Sequence, residues 1–290
     1  LSTTSAQTAT MISLMNILKE GDHYISTVAI YGENISLFPV TFKLVVIECT
    51  FVDQKLAEEE IQKMFKPNTK AVFGETIANP ALSVLDIEKW AAIAHKNNVP
   101  LIVDNTFPTP YLCRPFEFGA DIVVHSTSKY MDGHAVQMGG VIVDSGNFDW
   151  KNGNFPEFTE PDESYHGIVY TESFENAAYI TKARVQMMRD MGAYPTANAA
   201  FLLNLGLETL PVRMDRHCSN ALKVAEYFKK SEKVEFVNYP GLEGDKYHEL
   251  ANKYLPLGTC GVISLSIEGS RENAIKFMDS LKLASNEVHV

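Results

Sequence analysis

Lys129 stands in the stretch ADIVVHSTSKYMDGHAVQMGG, residues 120–140, just after an apolar run and just before a glycine-rich turn, with Ser126, Thr127 and Ser128 directly ahead of it. A lysine taken alone is most often a solvated surface group, because its ammonium is costly to bury. The run ADIVVHS reads as a buried strand, so the four residues emerge at its carboxyl end, where α/β sheets place ligands. A lysine held in such a crevice can lose its proton and attack a carbonyl carbon, forming a Schiff base. Ser126 and Ser128 alternate about Thr127. Either they offer two hydroxyls to one phosphate or they cap the strand end.

Four further stretches carry candidate residues. Asp104 ends the apolar run PLIVDN, and a carboxylate at a buried strand end needs a cationic or hydrogen-bonding partner, such as a protonated ring nitrogen or a nearby structural donor. The stretch GETIANP delivers Asn79 into a turn set by Pro80, where its amide either meets a ligand oxygen or closes its own turn. SAQTAT precedes an amphipathic segment, so the backbone N–H groups of Ala6 and Gln7 form a phosphate cradle at a helix N-terminus, with Ser5 as the N-cap. Tyr31, in VAIYGEN, is placed either to stack on a flat ring or to pack partly into the core with a wet hydroxyl.

The elements that must position these residues alternate along the chain. From about 6 to 144, helix-like AQTATMISLMNILKEG is followed by strand-like HYISTVAIY and LVVIECTFV, helical LAEEEIQKMFK, strand KAVFGETI, helical DIEKWAAIAHKNN, and the runs PLIVDNT, ADIVVHS and GGVIVDS. Short apolar runs alternating with amphipathic segments predict an α/β domain whose sheet is mainly parallel, sandwiched by helices. Residues 145–171, rich in Gly, Pro, Asn, Asp and aromatics, read as a long ordered loop in which Phe148 and Trp150 pack. Helices near 173–191, 196–207 and 210–231, then strand VEFVNY, helix YHELANKYL, strand GVISLSI and helix RENAIKFMDSLKL, predict a smaller C-terminal α+β domain. The boundary is expected near 207/208.

Composition narrows the partners. A formal charge of −11 over 290 residues argues against nucleic acid or an anionic membrane, since both need a basic surface. No run approaches the roughly 18 apolar residues of a membrane span, and LSTTSAQTAT lacks signal-peptide character, which makes the cytoplasm the expected compartment. Cys49, Cys113, Cys218 and Cys260 are widely spaced, so reduced thiols are expected and neither a disulfide frame nor a metal site is. Neither G-x-G-x-x-G nor a P-loop occurs, so a nicotinamide dinucleotide site is not signalled.

The set VDNTF (103–107) followed by HSTSKYMDGH (125–134) resembles the hallmark of the Cys/Met-metabolism family of pyridoxal-phosphate (PLP) enzymes, of fold type I. Asn79 to Asp104 and Asp104 to Lys129 are both 25-residue intervals, matching the family's spacing. The resemblance runs from residue 1 to 290 and includes LETLPVRMDRHCSNALKVAEYF at 207–228. It implies PLP bound through Lys129, which also moves protons, with Asp104 on the pyridinium, Ser126, Ser128 and the Ala6 and Gln7 amides on the phosphate, Tyr31 stacked on the ring, and Asn79 near its phenolic oxygen. The stretch 148–170 is similar to the O-acetylhomoserine sulfhydrylase branch. That implies γ-replacement on O-acetyl-L-homoserine by sulfide or a thiol, in a homo-oligomer built as a dimer of dimers. A γ-lyase, or a PLP-fold fragment without turnover, is the alternative. Ala6 stands where relatives commonly have glycine. The family's leading Tyr/Arg segment and its carboxylate-clamping arginine both fall outside 1–290, so residues 1–290 alone are expected to bind PLP weakly.

Overall fold

The computed structural model describes residues 1–285. Seven strands form one sheet: β1 (Ser2–Thr3), β2 (His23–Thr27), β3 (Glu48–Val52), β4 (Thr69–Glu75), β5 (Leu101–Asp104), β6 (Ile122–Ser126) and β7 (Gly140–Asp144), in the order β1-β7-β6-β5-β4-β2-β3. Neighbours from β6 through β3 pair in parallel, while β7 and β1 join antiparallel. The central strands read as unbroken apolar runs because both sheet faces are covered. Alternate side chains serve two cores: Val72, Leu101, Val103 and Val123 pack on one side with Trp90 and Ile93 of the helix Ile87–Lys96. Ala71, Phe73, Ile102, Ile122 and Val124 pack on the other with Ala9, Ile12 and Leu14 of α1 (Ala6–Met15).

The sheet's order reverses between β2 and β4, which opens a crevice at the carboxyl ends of the strands there. Strand β3 is shorter than the run LVVIECTFV predicts. Phe42–Val45 form a helical turn and Val46 adopts a left-handed backbone (φ 58°), because edge strand β3 pairs only where β2 offers a partner, starting at His23↔Glu48. Strand β2 likewise ends at Thr27, and Tyr31 lies four residues on, just before the short helix α2 (Gly32–Ser36).

Residues 145–171 are ordered, as expected, around short helical turns at Pro156–Thr159, Glu163–Tyr165 and Tyr170–Ser173. Trp150 stacks on Tyr179 at 5.1 Å between ring centroids and meets Phe148 edge-on at 4.6 Å, so both predicted aromatics pack. The smaller C-terminal sheet pairs β8 (Val234–Asn238) antiparallel with β9 (Ser264–Ile267), flanked by the helices Leu210–Lys229 and Arg271–Ser280.

One contact ties the C-terminal helices to the catalytic-side turn of the sheet. Gly206, in the helix Ala197–Glu208, lies so close to the turn after β6 that a Cβ would collide with the carbonyl oxygen of Asp132 and stand 2.5 Å from that of Met131. Alanine is the better helix former by about 1 kcal/mol. Gly206→Ala is nevertheless expected to destabilise the fold by about 1–3 kcal/mol, since backbone must move to admit the methyl. Urea unfolding checks this, and a stabilised variant would show that the turn yields freely.

Candidate active site

The pocket at the crevice is built from the ends of four strands. All eight predicted residues line it: Ala6, Gln7, Tyr31, Asn79, Asp104, Ser126, Ser128 and Lys129. Each arrives by a different local device. Asp104 ends β5 in register with Glu75 on β4 and Val124 on β6. Its Oδ1 accepts the Thr106 N–H at 2.9 Å and the Thr106 hydroxyl at 2.5 Å, while the same hydroxyl oxygen accepts the Ser126 N–H at 2.8 Å. The carboxylate is thereby aimed from β5 and laced to β6.

Lys129 lies in the turn Thr127–Met131 with φ −94° and ψ −127°, a break in the helical backbone, and its side chain lines the pocket. The turn is clasped from both sides. The Ser128 hydroxyl oxygen accepts the Gly139 N–H at 2.9 Å, and Thr127 N–H donates to the Gly139 carbonyl at 3.0 Å. From the C-terminal side, Arg213 donates through Nη1 to the Tyr130 carbonyl and through Nη2 to the Gly206 carbonyl, each at 2.7 Å. Burial lowers the proton affinity of Lys129, and the Glu33 carboxylate partly restores it.

The opposite wall is the start of α1. The Ser5 hydroxyl accepts the Thr8 N–H at 3.1 Å as an N-cap, and the first turn carries no acidic side chain. Residue 140 must be glycine here: a Cβ would collide with the Ser5 carbonyl group and lie 2.7 Å from Thr3 Oγ1, so its absence lets α1 approach β7 and face Ser126 and Ser128. On the side of β4, the Ala78 N–H donates to the Ser83 carbonyl at 3.0 Å, closing the turn that holds Asn79. Burial raises the Tyr31 phenol to about 12, assisted by a hydrogen bond with Glu33.

Two carboxyls share this pocket, and only one was foreseen. Desolvation pushes Asp104 up to about 6 against its Thr106 hydrogen bonds, and raises Glu75 well above the carboxylate range, with the Asp104 charge adding to the effect. Glu75, Asn34 and Thr106 escaped the sequence reading, as did the apolar lining by Ile77, Phe107 and Met138. Glu75 had a signal: like Asp104 it ends an unbroken apolar strand. Thr106 lay inside the VDNTF stretch without a role assigned to it, and Asn34 had no signal, since what each does depends on how distant segments fold back.

A pocket with a helix N-terminus and two hydroxyls at one wall, a desolvated carboxylate at another and a lysine between them fits an anionic phosphate, a ring cation and a carbonyl in one molecule. PLP has these three features. The profile of the Cys/Met metabolism PLP-dependent enzymes matches residues 1–290. The chain belongs to this family. It is 44% identical to an O-acetyl-L-homoserine sulfhydrylase of Leptospira meyeri, covering 98% of this chain and 66% of that protein. It is 43% identical to a homocysteine/cysteine synthase of Saccharomyces cerevisiae, covering 99% and 65%. Among solved structures it superimposes with a TM-score of 0.95, at 33% identity, on a Campylobacter jejuni protein described as an O-acetylhomoserine (thiol)-lyase that carries a pyridoxyl-lysine phosphate, covering 100% of this chain and 72% of that one. The chain thus spans about two thirds of the length of these curated relatives.

The raised carboxyls predict a pH effect on the PLP-free protein. A carboxyl whose folded-state affinity for protons exceeds its unfolded one stabilises the fold at low pH and loses that contribution as pH rises through the folded value. Thermal stability is therefore expected to fall between about pH 4 and pH 7. Asp104→Asn is expected to flatten part of that slope and to melt above wild type at pH 8. Unchanged slope in thermal melts of the variant would show that Asp104 is ionised without cost.

Proposed function

We propose that this protein is a PLP-dependent transferase catalysing γ-replacement: O-acetyl-L-homoserine and sulfide, or a thiol, give homocysteine, or methionine, and acetate. The observation that carries the reading is that Lys129 and Asp104 line one pocket, Asp104 at the carboxyl end of β5 and Lys129 in the turn that follows the parallel neighbour β6. The relatives' named activities support the choice of substrate.

When bound, PLP supplies the electron sink that stabilises negative charge at the substrate's α and β carbons. The chain's residues prepare that chemistry. Ser126 and Ser128 hydroxyls with the Ala6 and Gln7 amides hold the phosphate, and Asp104 keeps the ring nitrogen protonated by offering it a carboxylate. Tyr31 would lie against the ring and Asn79 would approach its phenolic oxygen, since both line the same pocket. Lys129 Nζ, with its proton affinity lowered by burial, holds the cofactor and moves protons from the substrate's α and β carbons before acetate leaves. Ile77, Phe107 and Met138 add an apolar lining to the pocket beside these groups.

Assembly as a dimer of dimers and residence in the cytoplasm belong to the same proposal. Exposed apolar residues beside α2, including Val40, Leu44 and Val46, support assembly, and the acidic composition and the absence of any helix long and apolar enough to cross a membrane, among the described residues, agree with the compartment.

Borohydride reduction of the PLP-loaded protein followed by peptide mapping is expected to place the pyridoxyl group on Lys129. Lys129→Ala is expected to lower homocysteine formation from O-acetylhomoserine and sulfide by ~10³-fold. Label on another lysine refutes the site, and 2-oxobutyrate in place of homocysteine from the wild type refutes replacement in favour of elimination.

A further inference from the structure

Glu75 is the feature of this pocket that the proposed chemistry leaves without a task. It is 5% exposed, lines the pocket, and pairs in register with Asp104 on the adjacent strand. Its Oε1 accepts the Tyr31 backbone N–H at 2.6 Å. The Asn79 backbone N–H and the Asn34 side-chain N–H also donate to its carboxyl, and these bonds pull its proton affinity down against the larger desolvation and the Asp104 charge that raise it. One side chain on β4 therefore gathers three segments: the turn carrying Tyr31, helix α2 carrying Asn34, and the turn carrying Asn79.

A second observation concerns its proton. Asn34 is 1% exposed, and among the described residues its Oδ1 has no hydrogen-bond partner. The oxygen and nitrogen of an amide are interchangeable by rotation, so the same side chain can present its oxygen to Glu75. With its N–H toward Glu75 the amide pairs with either form of the carboxyl, but with its oxygen toward Glu75 it pairs only with a neutral carboxyl, which donates its O–H to that oxygen and still accepts the Tyr31 N–H through its carbonyl. Two adjacent carboxyls out of water do not both ionise cheaply, and Glu75 is the more deeply enclosed of the pair.

We propose that Glu75 is a positioning residue that holds a proton: its neutral carboxyl fixes Tyr31, Asn34 and Asn79 around the cofactor and leaves the pocket's negative charge to Asp104. The inference rests on the PLP reading of the pocket. It assigns the two carboxyls different work. Asp104 faces the ring cation as an anion, and Glu75 acts through Tyr31 and Asn79 without charge.

Three variants separate length from charge. Glu75→Gln keeps the length and the neutral state, with a carbonyl for Tyr31 and an N–H for Asn34 Oδ1. Glu75→Asp keeps the acid but is a methylene too short to reach Tyr31, and Glu75→Ala removes both. In absorbance titrations with PLP, Glu75→Gln is expected within about threefold of the wild-type Kd, and Glu75→Asp and Glu75→Ala are expected at least tenfold weaker, about the effect of leaving buried donors unpaired. Infrared difference spectra of the PLP-loaded proteins at pH 7 provide a readout that packing alone would not move. The C=O band of a neutral carboxylic acid should be present in wild type and Asp104→Asn and lost in Glu75→Gln, with thermal melts verifying that each variant is folded. Glu75→Gln binding as poorly as Glu75→Ala, or an unchanged acid band in Glu75→Gln, overturns the inference. Failure of the wild type itself to bind PLP would instead overturn the functional reading beneath it.

Discussion

Parallel pairing of β4, β5 and β6 is the constraint on which the site depends. Parallel neighbours deliver their carboxyl ends to one edge of the sheet, so residues 29 and 25 positions apart in sequence, Glu75 with Asp104 and Asp104 with Lys129, meet in one crevice. The apolar runs preceding them bury against both faces and hold the strands to a register that one residue's slip would reverse. Position of the polar groups is therefore a by-product of core packing, which makes the edge rigid without spending side chains on it.

At that edge the low-dielectric walls set the electrostatics. Burial lowers the proton affinity of Lys129 and raises that of Asp104 and Glu75, and each shift works against the charged form the group would take in water. A bound ring cation beside Asp104 would reverse the penalty there. The pocket is thus electrostatically matched to a molecule with a cation toward β5 and an anion toward the N-terminus of α1, where backbone geometry rather than side-chain charge makes the match.

The turn carrying Lys129 belongs to the sheet by sequence but is held by the rest of the molecule. Gly139, just ahead of β7, clasps Thr127 and Ser128, and Arg213 of the helix Leu210–Lys229 grips the carbonyls of Tyr130 and Gly206. Gly206 provides the close approach that makes the second grip possible. Changes in the C-terminal helices therefore reach the turn of Lys129 through the Arg213 hydrogen bonds to the Tyr130 and Met131 carbonyls and through one missing methyl.

The sequence by itself determined the alternation of strands and helices, the edge at which Asp104 and Lys129 emerge, and the N-terminus of α1, because each is a local matter of apolar period, capping and strand ends. The motifs VDNT and HSTSKY also pointed to the family, whose profile spans the chain. Only the tertiary structure decided where the runs stop. β3 begins at Glu48 and β2 ends at Thr27 because pairing, not apolar content, bounds an edge. It alone showed Tyr31 tethered to Glu75, Thr106 lacing Asp104 to β6, and Arg213 clasping the lysine turn, since each contact joins segments that no periodicity links. The proton affinities of Asp104 and Glu75 followed the same rule: residue type supplies a carboxyl, and only burial beside another carboxyl decides its charge.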